Sequence, residues 1–176
     1  MSSTDKLDRF NRIVVPHLDA AYNYARWLTK NPADAEDVVQ DACVRAMRFL
    51  SSLRDDDARG WLFAIVRNTW YSRIARRTNL KEAASLDAAP REYADDALDP
   101  EERLAQQHTV TLVRAALEQL PADFREVIVL REIEGLSYKE IAEVVRVPIG
   151  TVMSRLARAR ERLRAVLKLA PMETLR

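Results

Sequence analysis

Glycine and cysteine are nearly missing from this sequence, and each absence removes a class of protein. Only three glycines occur, and no run alternates apolar with polar residues between turn signals, so no strand pattern appears and everything periodic is helical. The single cysteine, Cys43, excludes an internal disulfide. With only two histidines, His17 and His108, no Cys/His spacing suits a metal, and neither a metal nor a cofactor is expected. Cys43 itself sits among apolar neighbours on a helical stretch and reads as a buried, inert thiol. No apolar run approaches the roughly 18 residues that span a bilayer. The opening MSSTDKLDRF lacks the apolar core of a signal peptide, so a cytoplasmic protein with no membrane insertion of its own is expected.

What is present is 48% hydrophobic and 31% charged, the balance of a soluble globular chain, and 176 residues suffice for one domain or two small ones. Asn31-Pro32-Ala33-Asp34 and Asp99-Pro100-Glu101-Glu102 each combine an N-cap, a proline at the first helical position and acid in the first turn. Helices are expected to begin near 32 and 100, with others at roughly 5–30, 58–79 and 122–134. Between Glu82 and Glu102 there are eight acids against one base, Arg91. The expected fold is therefore all-α: two small helical domains, 1–81 and 103–176, joined by an acidic linker over 82–102.

The stretch GLSYKEIAEVVRVPIGTVMSRLARARERL, from Gly135 to Leu163, holds two helical patterns broken at RVP. Gly135 suits a left-handed cap on the helix before it, and Ser137 with Glu140 forms a capping box that opens the next. Ile141, Ala142 and Val145 share one face of that short helix. Pro148 cannot extend it but can start another, which predicts a turn of about three residues. From Ile149 onward Val152, Leu156, Ala159, Leu163 and Val166 form an apolar stripe, with Thr151, Ser154, Arg155, Arg158 and Arg162 off it. Two helices with a tight turn, the second apolar inside and basic outside, describe a helix-turn-helix. From Ser137 to the C-terminus there are nine Lys and Arg against four Asp and Glu, while the whole chain is only +1. Positive charge is thus concentrated at the helix pair, as a phosphate-binding module requires.

These residues carry a family resemblance. GLSYKEIA, PIGTVMSR and LARARERL, preceded by LPADFREVIVLRE, resemble the promoter-reading fourth domain of extracytoplasmic-function sigma factors of bacterial RNA polymerase. DAEDVVQDACVRAMRFL followed by RGWLFAIVRNTWYSRIARR is similar to that family's second domain, and the two sets together cover nearly the whole chain in order. The resemblance implies that Asp37, Gln40 and Asp41, on one face at i, i+3, i+4 spacing, dock on the polymerase clamp; otherwise they are a solvated helix face. Val38, Val39, Ala42, Ala46 and Leu50 are expected in a core.

It also implies a minus-10 surface made by Arg67, Asn68, Trp70, Tyr71, Arg73, Arg76 and Arg77, in which arginines hold phosphates and aromatics stack unpaired bases. Asn68 matches a family residue beside the pocket for a flipped base. Trp70 is equally suited to a core, where Trp61, Leu62, Ile65 and Val66 are expected. Thr151, Ser154, Arg155, Arg158 and Arg162 are the minus-35 candidates. The linker acids Glu82, Asp87, Glu92, Asp95 and Asp96 are expected either to mimic phosphates in the polymerase's basic channels or to serve as a solubilising tether.

The sequence departs from the family at Met153, often basic, where a phosphate or base contact is expected to be missing or replaced by apolar contact with a thymine methyl, at Ser72, often acidic, and at Arg146, where many helix-turn-helix turns carry glycine. The partners implied are core RNA polymerase, promoter DNA and an anti-sigma factor. A self-sufficient helix-turn-helix regulator with an N-terminal effector or dimerisation domain is the alternative. DAEDVVQD has no histidine or second carboxylate motif to complete an acid–base site, so an enzyme is not expected.

Overall fold

The computed structural model describes residues 2–55, 57–83 and 103–169. Among these residues every regular element is helical. The chain forms two compact units, Met1–Tyr93 with Lys139–Arg146 and Ala94–Tyr138 with Val147–Arg176. The linker acids Asp87 to Glu102, and the expected helix start at Asp99-Pro100, lie outside the described residues.

In the first unit the helix expected over 5–30 is two helices, α1 (Ser3–Ile13) and α2 (Leu18–Thr29), joined by a 3-10 turn, Val15–His17. Pro16 causes the break: it has no N–H for the ladder, and its ring excludes a continuous α-helix. α1 ends as Val14 N–H donates to Phe10 O at 2.9 Å, and His17 N–H then donates to Val14 O at 2.9 Å. Helix α3 (Pro32–Phe49) starts where the sequence predicts, with the Asn31 side chain accepting the Asp34 N–H at 3.1 Å. α4 (Arg59–Ala83) runs a turn beyond the expected end at 79.

Helices α2, α3 and α4 pack on one another, and the apolar spacing accounts for it. Val38, Ala42, Ala46 and Leu50 are fully buried, while Val39 is half-buried. On α4, Leu62, Val66 and Thr69 are fully buried, and the Thr69 hydroxyl donates to Ile65 O at 2.7 Å. Trp61 and Ile65, expected in the core, are only half-buried. Phe63 takes the central place, its ring 5.3 Å from that of the buried Tyr24 on α2. The spacing 62, 66, 69 sets the rotation of α4, and Trp61 falls beside that stripe. From α1, Arg9 donates to Leu50 O at 3.1 Å and Leu53 O at 2.9 Å, tying down the chain where α3 ends.

In the second unit α5 (Arg103–Glu118) buries Ala116 and Leu117. α6 (Ala122–Ile128) continues into a single π turn, Val129–Ile133, rather than one uniform helix over 122–134. That wider turn ends at Gly135, whose φ of +69° is the left-handed cap the sequence predicts. The buried Leu136 closes it, donating its N–H to Leu130 O at 2.9 Å. α8 (Ile149–Leu169) packs on α5 and α6 through Val152, Leu156 and Ala159.

α7 (Tyr138–Val145) buries Ile141, Val144 and Val145, and three residues separate it from α8. Arg146 in that turn has φ +58°, so this departure from glycine is met by left-handed backbone rather than by another turn type. Gly135 and Arg146 therefore make opposite predictions. Gly135→Ala should destabilise the fold by about 1 kcal/mol through backbone strain alone, since a Cβ there meets nothing within 4 Å. Arg146→Gly should stabilise it by up to about 1 kcal/mol, and urea unfolding of both variants measures the two shifts.

Candidate nucleic-acid interface

The charged surface of the first unit is built by the rotation of α4. The stripe that buries Leu62, Val66 and Thr69 continues at helical spacing into Arg73 and Arg77, which emerge opposite the acidic start of α3. Arg73 spans two acids, with Nη1 2.8 Å from Asp41 Oδ2 and Nη2 3.5 Å from Asp37 Oδ2. Arg77 Nη2 lies 3.0 Å from Asp34 Oδ1. That hydrogen bond raises the Arg77 pKa, although the guanidinium is charged at any working pH in any case. Asp37, Gln40, Asp41, Arg73, Arg76 and Arg77 line one open groove. Residues that the sequence divides between a polymerase-facing and a DNA-facing surface thus share a single ionic strip. Nothing in a linear pattern places 73 opposite 41; the antiparallel packing of α4 on α3 does.

The remaining minus-10 candidates do not join that strip. The Arg67 guanidinium lies 4.6 Å from the centroid of the Tyr71 ring, one turn along α4, and Tyr71 is 40% exposed. Asn68 is half-buried beside them, and Trp70 is half-buried too, between the core and surface alternatives left open by its spacing. α4 therefore presents an Arg67–Asn68–Tyr71 side, with a stacked cation and an aromatic face, and a separate Arg73–Arg76–Arg77 side. Cys43 is half-buried rather than buried, and desolvation raises its thiol pKa, which disfavours the thiolate.

In the second unit the arginines of α8 divide by what holds them. Arg155 Nη2 is 3.7 Å from Asp123 Oδ2, and the Arg155 side chain is only 24% exposed. The Arg162 guanidinium lies 5.2 Å from the Phe124 ring centroid, again on α6. Arg160, not singled out by the sequence pattern, grips Glu132 Oε1 through Nε at 3.0 Å and Nη2 at 2.5 Å, which raises its pKa. No local pattern signals that tether, because Glu132 lies 28 residues away in the chain. Arg158 is exposed, Thr151 is half-buried, and Ser154 is exposed with its hydroxyl donating to Thr151 O at 3.1 Å. The outward side of the first turns of α8 thus carries Gly150, Met153, Ser154, Ala157 and Arg158, less basic than the sequence implies. No helix of the described residues is long and apolar enough to cross a membrane, and among them no His, Cys, Asp and Glu cluster suits a metal.

Comparison with known proteins matches both charged segments. Residues 13–79 match Sigma-70 region 2, and residues 111–163 match Sigma-70, region 4. The chain is 34% identical over 169 residues to an ECF RNA polymerase sigma factor, SigE, of Mycolicibacterium smegmatis, covering 94% of this chain and 64% of that one. It therefore spans a little under two thirds of the length of this relative. It is 37% identical over 135 residues to the ECF RNA polymerase sigma-E factor of Escherichia coli, covering 73% of this chain and 71% of the other. Among solved structures it resembles the sigma factor RpoE in complex with the anti-sigma factor NepR from Bartonella quintana. The TM-score is 0.69 at 30% identity, with 92% of this chain and 98% of that one covered.

The bridge at Arg73 is partly exposed, which limits its contribution to stability to about 1 kcal/mol or less. A double-mutant cycle of Arg73→Ala and Asp41→Ala, read by urea unfolding, should give a coupling of that size. Raising the salt from 0.05 to 0.5 M should shrink it further, since exposed pairs are screened.

Proposed function

The chain belongs to the extracytoplasmic-function sigma factors of bacterial RNA polymerase, and from that premise we propose that it binds core polymerase and directs promoter-specific initiation. The observation that carries this reading is the presence of region 2 and region 4 in order on one chain, each with its own charged surface. Residues 1–81 act as sigma domain two, 82–102 as the linker and 103–176 as sigma domain four. Asp37, Gln40 and Asp41 dock on the polymerase clamp. They are short, exposed side chains at one helical face, and Arg73 already holds the two acids in a conformation that a basic partner side chain can meet.

The minus-10 strand is held on the first unit. Tyr71 and Arg67 offer a stacking surface for an unpaired base, and the Asn68 amide both donates and accepts. Arg76 supplies charge for phosphates, while Arg73 and Arg77 are shared with the acids of α3. The minus-35 duplex is read by α8, with Thr151, Ser154 and Arg158 at the groove and Arg155 and Arg162 on its flank. The protein's own part is recognition, with the chemistry of RNA synthesis left to the polymerase in the cell interior. By its likeness to RpoE, solved with the anti-sigma factor NepR, an inhibitor of that class regulates it.

Two measurements test this reading. One helix-turn-helix with few phosphate contacts should bind DNA weakly alone, near the micromolar range, and far more tightly with core polymerase, where both elements and the clamp act together. Nanomolar sequence-specific binding by the isolated protein would instead support a self-sufficient regulator. Replacing Asp37, Gln40 and Asp41 together by Ala should cost about 1 kcal/mol of stability or less, through the lost bridges to Arg73, yet reduce competition for core polymerase at least tenfold. Equal competition by the folded triple variant would remove the docking assignment.

A further inference from the structure

Two large apolar side chains stand in solvent at the start of α8. Ile149 is 50% and Met153 52% exposed, and Ala157, one turn on, is exposed as well. Positions 149, 153 and 157 follow i, i+4 spacing and line one side of the helix. Gly150 beside them has nothing within 4 Å of where a Cβ would stand, so a neighbour can approach the backbone closely. The nearby cations turn elsewhere: Arg155 toward Asp123, Arg160 toward Glu132 and Arg162 toward Phe124. Arg158 lies exposed at the edge of this apolar strip.

An apolar strip bordered by a cation fits a surface that is itself apolar between phosphates. The major groove of duplex DNA provides one wherever a thymine directs its C5 methyl group outward. Arginine or lysine at position 153 would donate to guanine O6 and N7 or to a phosphate. Methionine has no donor, and its flexible, polarisable thioether packs well on a methyl group. We propose that Met153 reads a thymine methyl in the minus-35 duplex and is a specificity-determining residue of this protein. Ile149 and Ala157 border that contact, and Arg158 holds the adjacent phosphate. The proposal rests on the reading of α8 as the minus-35 helix.

The test uses full-length protein with core polymerase, on a promoter taken from start sites mapped after overexpression. Each thymine of the minus-35 element is replaced singly by deoxyuridine, which deletes only the methyl group. With the parent protein, transcription should fall about fourfold at one or two positions, the effect of one buried methyl group. Met153→Ala, at an exposed site that leaves the fold intact, should equalise thymine and uracil at one of those positions while sensitivity elsewhere persists. Met153→Arg should shift the preference at that base pair toward guanine. Indifference of the parent to every uracil overturns the proposal, as does undiminished discrimination by Met153→Ala. Scrambling the whole element distinguishes the two levels. If that too leaves transcription unchanged, the minus-35 reading of α8 falls along with the proposal; if it abolishes transcription, only the proposal is at stake.

Discussion

The packing of α4 against α2 and α3 is the constraint on which the first unit's surface depends. Its buried stripe runs through Leu62, Val66 and Thr69, with Phe63 meeting Tyr24 beside it, and this leaves α4 a single rotation about its axis. α4 is 25 residues long, about 37 Å at 1.5 Å per residue, and it outlasts the apolar surface offered to it. Beyond Thr69 the same stripe holds Arg73 and Arg77. The burial of apolar groups at one end therefore aims guanidinium groups at the other. A rotation of one residue, 100°, would expose Leu62 and separate Arg73 from Asp41 together.

The second unit solves a related problem with shorter helices. α8 has to bury Val152, Leu156 and Ala159 yet present a face outward, and its flanking cations fix how it does so. Arg155 and Arg162 reach α6, and Arg160 reaches Glu132 in the π turn. Each such contact is modest, but three along one helix resist its rolling, and packing adds to them because the arginine stems cover apolar surface. What remains outward between Ile149 and Arg158 is a narrow strip in which Ile149, Met153 and Ala157 outnumber the single charge, Arg158. The cations that hold the helix in place are thus distinct from the surface it leaves outward.

The same economy of charge appears at the groove between α3 and α4, where acids and bases are neighbours. Exposed ion pairs of this kind are weak enough to exchange partners, since water and salt compete for both members. A basic side chain approaching Asp41, or a phosphate approaching Arg73, exchanges one ionic contact for another of similar strength. Contacts made to the acids of this groove and contacts made to its bases are therefore electrostatically linked through Arg73.

By itself the sequence determined the all-helical class, the helix start at Asn31, the left-handed cap at Gly135, the three-residue turn before α8 and the exposed Asp37, Gln40 and Asp41 face. These follow from forces acting within about four residues, namely capping, proline stereochemistry and helical period, which a linear pattern records directly. The break at Pro16 was equally local and lay in the residues, hidden by apolar periodicity running on either side of it. Tertiary structure alone decided that Phe63 rather than Trp61 fills the core, that Arg73 meets Asp41, and that Arg155, Arg160 and Arg162 serve α6 and its π turn. An arginine beside an apolar stripe has the same local pattern whether it faces water, a phosphate or an acid. Only the position of the next helix, 28 to 43 residues away in the chain for these ion pairs, supplies the partner.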